Sequence, residues 1–424
     1  MRESKIFKGY WFLPENPENE VAGILSFEPN NKITLELIGG FESPENLFDS
    51  FGNKTLKKEQ IIWGRDDRGT AITLIDCHKY GSYNFSSSFP MIKYTGQYII
   101  EGIHLSGVDE KVFFKIRTKI PLLTNWIGRS GVSFSMPIGE NDSFDGFDIR
   151  YRNDEIVDKV IKLSSETTFV IQHQCQVPEF TEEEILIKEY YDVQIETDNE
   201  YNFQDLLDKI NRFKDFLTFC CMCELDFIEI NLSSHFYMQQ LKSGSIIYHN
   251  IGLYYGQIKP SLLPENRKEK KFLLKYHDIE ADYQSIIKRW FEFDHNMYPI
   301  VHHLLDSITY KPMFKSTDFL IVCQALEGFH IRFIDEKKGV ERSLESRIKN
   351  LIGKFREVKN IIKINPKLVG DSRNYYSHLY LEDNRQVLKD VELYHLTKRL
   401  RVLLICCFFN ILGISMERIK EIIN

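Results

Sequence analysis

The sequence predicts an α+β multidomain protein: a β-rich, sandwich-like N-terminal domain, a mixed middle region and an all-helical bundle at the C-terminus. Three observations lead there. The chain has 424 residues, more than one domain ordinarily holds. Its first ~195 residues carry short alternating or apolar runs punctuated by Gly, Pro and Asn turns. From Lys315 onward the apolar spacing changes to threes and fours, the helical period. The expected domains are residues 1–195, 196–312 and 313–424.

In the front, residues 6–13 form an aromatic-rich strand that ends at Pro14. Residues 22–27 and 32–38 are strands joined by a Pro29-Asn30-Asn31 turn, and Gly39-Gly40 and Ser43-Pro44 break the chain after them. Residues 71–76, 96–105 and 111–117 are further strands, rich in β-branched and aromatic side chains. Antiparallel strands of this kind make a sandwich or a barrel-like domain, with recognition expected in the loops. Loops near Trp63 and Trp126 are candidates, although a Trp among strands more often fills the core.

In the middle, residues 203–223 predict a helix through Leu206, Leu207, Ile210, Phe213, Phe216 and Leu217. Residues 227–232 and 245–255 are short strands. Pro260, Pro264 and the charged stretch 265–271 mark a boundary, and 283–308 is one helical segment. In the tail, Thr317-Asp318 caps a first helix and Ser343 a second. Asn365-Pro366 supplies a cap and a first-turn proline for a third. A fourth covers 387–412, and Ser415 starts a short terminal helix. Four helices with short connections make a bundle.

Charge is uneven. Residues 301–424 hold 21 Lys and Arg against 15 Asp and Glu, a net of +6 that leaves −13 for the rest of a chain totalling −7. A mildly basic back fits either contact with a polyanion or an ordinary solvated face. The start of the chain leads into a strand rather than an apolar leader, and the most apolar run, 402–412, is too short for a bilayer and contains Asn410. A cytoplasmic protein without membrane contact is the expectation. Eight cysteines, with adjacent pairs at Cys220-Cys221 and Cys406-Cys407, read as reduced buried thiols.

The most chemical stretch is Arg373-Asn374-Tyr375-Tyr376-Ser377-His378. Arg can fork two donors onto phosphate oxygens and keeps its charge. His gives or takes a proton near neutral pH. Chance alone gives this spacing in roughly a few of every hundred such chains, so its setting matters. Competing constellations are thin. Cys220 and Cys223 form a C-x-x-C without a second pair, and His302, His303 and Asp306 share one helical segment without a further ligand motif. Neither reads as a metal site, and phosphate-loop, nucleophile-elbow and dinucleotide fingerprints are absent.

The tail resembles a HEPN domain, the helical nuclease module marked by Arg, a polar residue and, a few residues on, His; here these are Arg373, Asn374 and His378. The run from Phe319 to His330, with Gln324-Ala325-Leu326-Glu327, is similar to the first helix of that module. Gly370 is a weak point in the helix leading to Arg373. The front resembles the N-terminal domain of ApeA-type antiphage proteins at Gly9-Tyr10-Trp11-Phe12-Leu13-Pro14, Gly23-Ile24-Leu25-Ser26-Phe27, Ile33-Thr34-Leu35-Glu36-Leu37 and Asn125-Trp126-Ile127-Gly128-Arg129-Ser130-Gly131.

The resemblance implies a ribonuclease of bacterial antiphage defence that shuts down the infected cell. It implies cleavage without metal or other cofactor, a homodimer formed through the helical domain, an RNA target with tRNA as first candidate, and a phage-derived trigger. Such cleavage uses the RNA 2′-OH as nucleophile. It needs a base, an acid and positive charge at the transition state. His378 serves as base or acid, Arg373 holds the phosphate, and Asn374 bonds the phosphate or orients His378. Glu327 can pre-set Arg373, though a solvent-facing charge is the plainer reading. Tyr375 and Tyr376 can stack on bases or simply pack. Five residues on an ideal helix turn through about 500°, so Arg373 and His378 lie roughly 140° apart. The helix is therefore expected to end near His378, with a second protomer completing the site. The rival reading is a non-catalytic HEPN-type module for dimerisation or RNA binding. A DNA target is disfavoured because the chemistry needs the 2′-OH.

Overall fold

The structure, a computed structural model, describes residues 3–29, 31–41, 58–80, 91–136, 146–152, 156, 158–176, 178–256, 272–293, 296–309, 316–335, 342–356, 359–379 and 386–423. Asn30, Ser43-Pro44, Pro260, Pro264 and 265–271 lie outside these residues. The chain forms two compact units. One comprises 1–125, 129–211 and 225–263; the other comprises 126–128, 212–224 and 264–424.

The first unit is built on one 13-stranded antiparallel sheet. Six of its strands are β1 (Lys5–Leu13), β2 (Asn16–Phe27), β3 (Ile33–Ile38), β4 (Lys58–Asp66), β5 (Ala71–Tyr80) and β6 (Met91–Gly96). They pair in the order β5-β4-β1-β2-β3-β6, and β6 returns to β5 with His78 opposite Thr95. Of the sandwich and barrel readings, the pairings therefore give a closed barrel. Closure removes the exposed edges of these strands. Alternation decides what faces inward. On β3, Ile33, Leu35 and Leu37 are buried while Ile38 is exposed. With Trp11, Leu25, Phe27, Ile62, Leu74 and Tyr94 they make one continuous core.

β5 has two neighbours on its far edge. Ile72–Ile75 pair with β7 (Tyr98–Glu101), whereas His78–Tyr80 pair with β6. Asp76 lies at the changeover with φ +54, the left-handed region that Asp tolerates better than most residues. From β7 the sheet continues through Ile251–Tyr255, Glu229–Ser233, β8 (Phe113–Lys119), Glu189–Tyr201 and Thr167–Cys175 to Lys159–Lys162. Two strands of residues 196–312, read from sequence as a mixed middle region, thus join the front sheet, while Met238–Gln240 and Ile246–Tyr248 pair as a separate hairpin. The residues of that region after 263 fall in the second unit.

In the second unit, the end of α1 (Phe203–Cys221) supplies Phe213, Phe216 and Phe219 to an aromatic core with Trp126, Trp290, Phe408 and Phe409. Trp126 is buried, and its indole N–H donates to the Leu274 carbonyl at 2.7 Å. It is a core residue rather than a recognition residue. Trp63, in the first unit, stacks on His104 at 4.9 Å and donates to the Leu105 carbonyl.

The single helical segment expected over 283–308 is two helices, α2 (Tyr283–Phe291) and α3 (Tyr298–Thr309). Pro299 sits in the first turn of α3, where its missing N–H leaves no helical bond unmade. α4 (Ser316–Phe333), α5 (Leu344–Lys354), α6 (Pro366–His378), α7 (Asp390–Leu412) and α8 (Met416–Ile423) follow. The starts read from sequence hold at Ser343, Asn365 and Ser415, the last accepting from the Arg418 N–H at 3.3 Å, whereas Thr317-Asp318 lie inside α4, which begins at Ser316. Ser343 accepts from the Ser346 N–H, and Asn365 from the Lys367 N–H.

Buried polar groups lock these helices. Arg401 of α7 gives its Nη2 to both carboxylate oxygens of Asp318 on α4, at 2.8 and 3.1 Å, and its Nε to Ser307 of α3 at 3.1 Å. Burial raises the Asp318 carboxyl above its ordinary range against the pull of Arg401. His330, fully buried on α4, lies 3.3 Å from Arg347 of α5 and 3.2 Å from Asn350.

The barrel makes a demand at Gly9, where β1 passes β4. A side-chain carbon there would lie 2.0 Å from the Arg65 carbonyl oxygen. Gly9→Ala is expected to cost about 1–3 kcal/mol through overpacking. The check is a lowered unfolding midpoint of the full chain; an unchanged midpoint would mean that β1 and β4 are not this close.

Candidate active site

α6 carries the Arg-Asn-x-x-x-His motif, and its two ends are set by sequence. Asn365 and Pro366 start it. Leu379 stops it by adopting a left-handed conformation, φ 54 and ψ 34. His378 is therefore the last helical residue, exposed at the C-terminal end. Arg373 lies five residues earlier, partly shielded, with its side chain 26% exposed.

The two meet within one chain. Arg373 Nη1 donates to His378 Nε2 at 3.0 Å and to Asn374 Oδ1 at 3.3 Å. The helix ends at His378, as its spacing from Arg373 predicts, and at that end the two side chains meet although an ideal helix sets them roughly 140° apart. The angle between Cα positions is not the reach of the side chains. A long, flexible Arg spans the gap to an imidazole at a helix end, where no following turn intervenes. In this arrangement Nε2 accepts, so the imidazole proton is on Nδ1.

The other terminal nitrogen faces a different helix. Arg373 Nη2 lies 3.5 Å from Glu327 Oε2, and the Glu327 side chain is 27% exposed. A pair this open contributes at most about 1 kcal/mol to stability. Its consequence is orientation, because it fixes the guanidinium between α4 and α6. One turn before Glu327, Cys323 is buried. Burial pushes its thiol well up, with Glu327 adding to that effect and the Arg373 charge opposing it. It is a packed, un-ionised neighbour of the site.

Tyr376 packs its ring edge-on to Phe319 of α4, at 6.3 Å between centroids. Its hydroxyl donates to the Leu388 carbonyl at 3.1 Å. Ser372, one turn earlier and fully buried, accepts from the Leu388 N–H at 3.1 Å. Sequence spacing gave no hint of Ser372 or of Leu388 and Lys389, which reach the motif only through tertiary packing. Tyr375 is half-buried and lies beneath Lys389, whose Nζ is 5.7 Å from the ring centroid.

The other constellations lie elsewhere. Cys220 and Cys223 are buried in the core, and burial pushes the Cys220 thiol well up. His302 is exposed and His303 half-buried on α3. Among the described residues, no group of three His, Cys, Asp or Glu is placed to hold a metal ion.

The helices of the second unit thus present Arg373, Asn374 and His378 at one helix end, with Glu327 of a neighbouring helix against Arg373. Residues 320–418 match the family model described as Apea-like HEPN. Residues 6–290, more than half of the chain, match ApeA N-terminal domain 1, and the protein belongs to the ApeA family. The curated proteins and the solved structures compared gave no match. A HEPN domain of ApeA type points to a nuclease-like role in antiphage defence. Among the described residues, no helix is long and apolar enough to cross a membrane.

Two substitutions test the local account of α6. A side-chain carbon at Gly370 would make an ordinary 3.7 Å contact with Glu345. Gly370→Ala should therefore stabilise the chain by about 0.5–1 kcal/mol. Asn365→Ala should destabilise it by about 1 kcal/mol through loss of the cap. Thermal unfolding of the full chain reads both, and equal midpoints would contradict the assignment.

Proposed function

We propose that this protein is an endoribonuclease of antiphage defence that cleaves RNA by attack of the 2′-OH on the adjacent phosphorus. The observation that supports this most strongly is the contact of Arg373 with both His378 and Glu327. It puts a phosphate-binding fork and a proton-transfer group within one hydrogen bond of each other, on a braced helix end.

The chemistry then runs as follows. RNA phosphate takes the Arg373 donors now given to His378 and Asn374, which frees His378 Nε2. Nε2 accepts the 2′-OH proton, and the 2′-oxygen bonds to phosphorus. Arg373, held by Glu327, carries the charge that develops on the non-bridging oxygens. The bond to the 5′-oxygen breaks, and that oxygen takes a proton from an acid. The products are a 2′,3′-cyclic phosphate and a 5′-hydroxyl. One imidazole cannot be base and acid in the same step. A homodimer with two motif helices facing each other supplies the second. tRNA is the first candidate substrate, because its loops expose unpaired nucleotides. The N-terminal domain restrains the nuclease until a phage component binds; equal activity of a 301–424 fragment and the resting full chain would count against that restraint.

The test is cleavage by the purified chain in the presence of chelator. His378→Ala should lower the rate by about 10²–10⁴-fold while RNA binding persists. Glu327→Ala should cause a smaller loss, about 10–100-fold, because it only misplaces Arg373. A His378→Ala chain that cleaves normally would remove the enzymatic reading. A wild type that binds RNA without cutting it, both alone and with lysate of phage-infected cells added, would establish the non-catalytic alternative. Sedimentation should give twice the 50.1 kDa chain mass; a strict monomer with full activity would contradict the composite site.

A further inference from the structure

The segment that follows the motif helix is fastened back onto it by both hydrogen-bonding groups of one peptide residue. Leu388 donates its N–H to Ser372 and accepts at its carbonyl from Tyr376, each at 3.1 Å. Ser372 and Tyr376 are four residues apart and share a face of α6. The clamp brings the next residue, Lys389, over the Tyr375 ring. The ring is itself held edge-on against Tyr376, 4.9 Å between centroids at 86°. Tyr375 precedes His378 by three positions, so the two point to the same side of the helix, roughly 60° apart. One helical turn before His378 there is thus a half-buried aromatic ring with an exposed lysine over it, on a segment positioned by Ser372 and Tyr376.

We propose that Tyr375 and Lys389 form a nucleotide-binding subsite beside His378, in which an unpaired RNA base stacks on Tyr375 and a neighbouring phosphate binds Lys389. This rests on the ribonuclease reading above and adds how the strand is aligned. The exchange is favourable in kind. Base–aromatic stacking outweighs an exposed cation–π contact. Lys389, exposed beside the stacked base, meets a phosphate, and the RNA strand releases a counterion. Stacking tolerates any base, so the subsite selects unpaired nucleotides rather than a sequence.

The experiment uses full-length His378→Ala protein, which binds without cutting, and a fluorescent single-stranded oligoribonucleotide across a salt series. Tyr375→Leu should weaken binding by about 5–100-fold, whereas Tyr375→Phe keeps the ring and the affinity. Lys389→Gln should reduce the slope of log affinity against log salt by about 0.7, one phosphate contact on a single strand. Lys389 is exposed, so its substitution separates ligand contact from folding. Unchanged affinity in Tyr375→Leu together with an unchanged slope in Lys389→Gln would overturn the subsite and leave the cleavage reading intact. No binding by the His378→Ala parent at any salt would overturn both.

Discussion

The guanidinium of Arg373 is the point on which the site depends. Its two terminal nitrogens serve three acceptors: Glu327 on one helix, and Asn374 and His378 on its own. The first of these contacts exists only if α4 and α6 cross at the right height. That crossing is secured by Phe319 of α4 packing against Tyr376 of α6, while Asp318 paired with Arg401 ties α4 to α7. The placement of the Arg373 guanidinium is thus an outcome of how α4 packs against α6. The weak ion pair with Glu327 does not hold the domain together; the domain holds the ion pair.

Much of the site could be read from sequence because it is local. The motif residues are close in the chain, and the Asn365-Pro366 start follows from short-range backbone chemistry. That the helix ends near His378 was legible from its spacing to Arg373, but the hydrogen bond between the two within one chain was not, because ideal helical angles describe Cα positions, not the reach of a flexible side chain ending in a planar fork. The Leu388 clamp was not legible at all. It joins residues across the connection between two helices, and nothing in Ser372 or Lys389 taken alone marks it.

The front shows the same division on a larger scale. Individual strands such as 22–27 and 32–38 announce themselves by alternation, and their cores are the residues the pattern names. Barrel closure does not, because β6 must leave β3 on one side and find β5 on the other. Nor does the sheet's recruitment of Glu229–Ser233 and Ile251–Tyr255, which follow a 19-residue helix in the chain. Helices are local in sequence; strand partners are not.

The central claim is that this helix end cuts RNA through the RNA's own 2′-OH. The most direct measurement captures 2′,3′-cyclic phosphate ends from the total RNA of cells carrying wild type or His378→Ala, with and without phage. The account predicts new ends, clustered in unpaired loops, that require His378. An absence of His378-dependent ends under infection would contradict it and leave the helix end as a phosphate-binding scaffold.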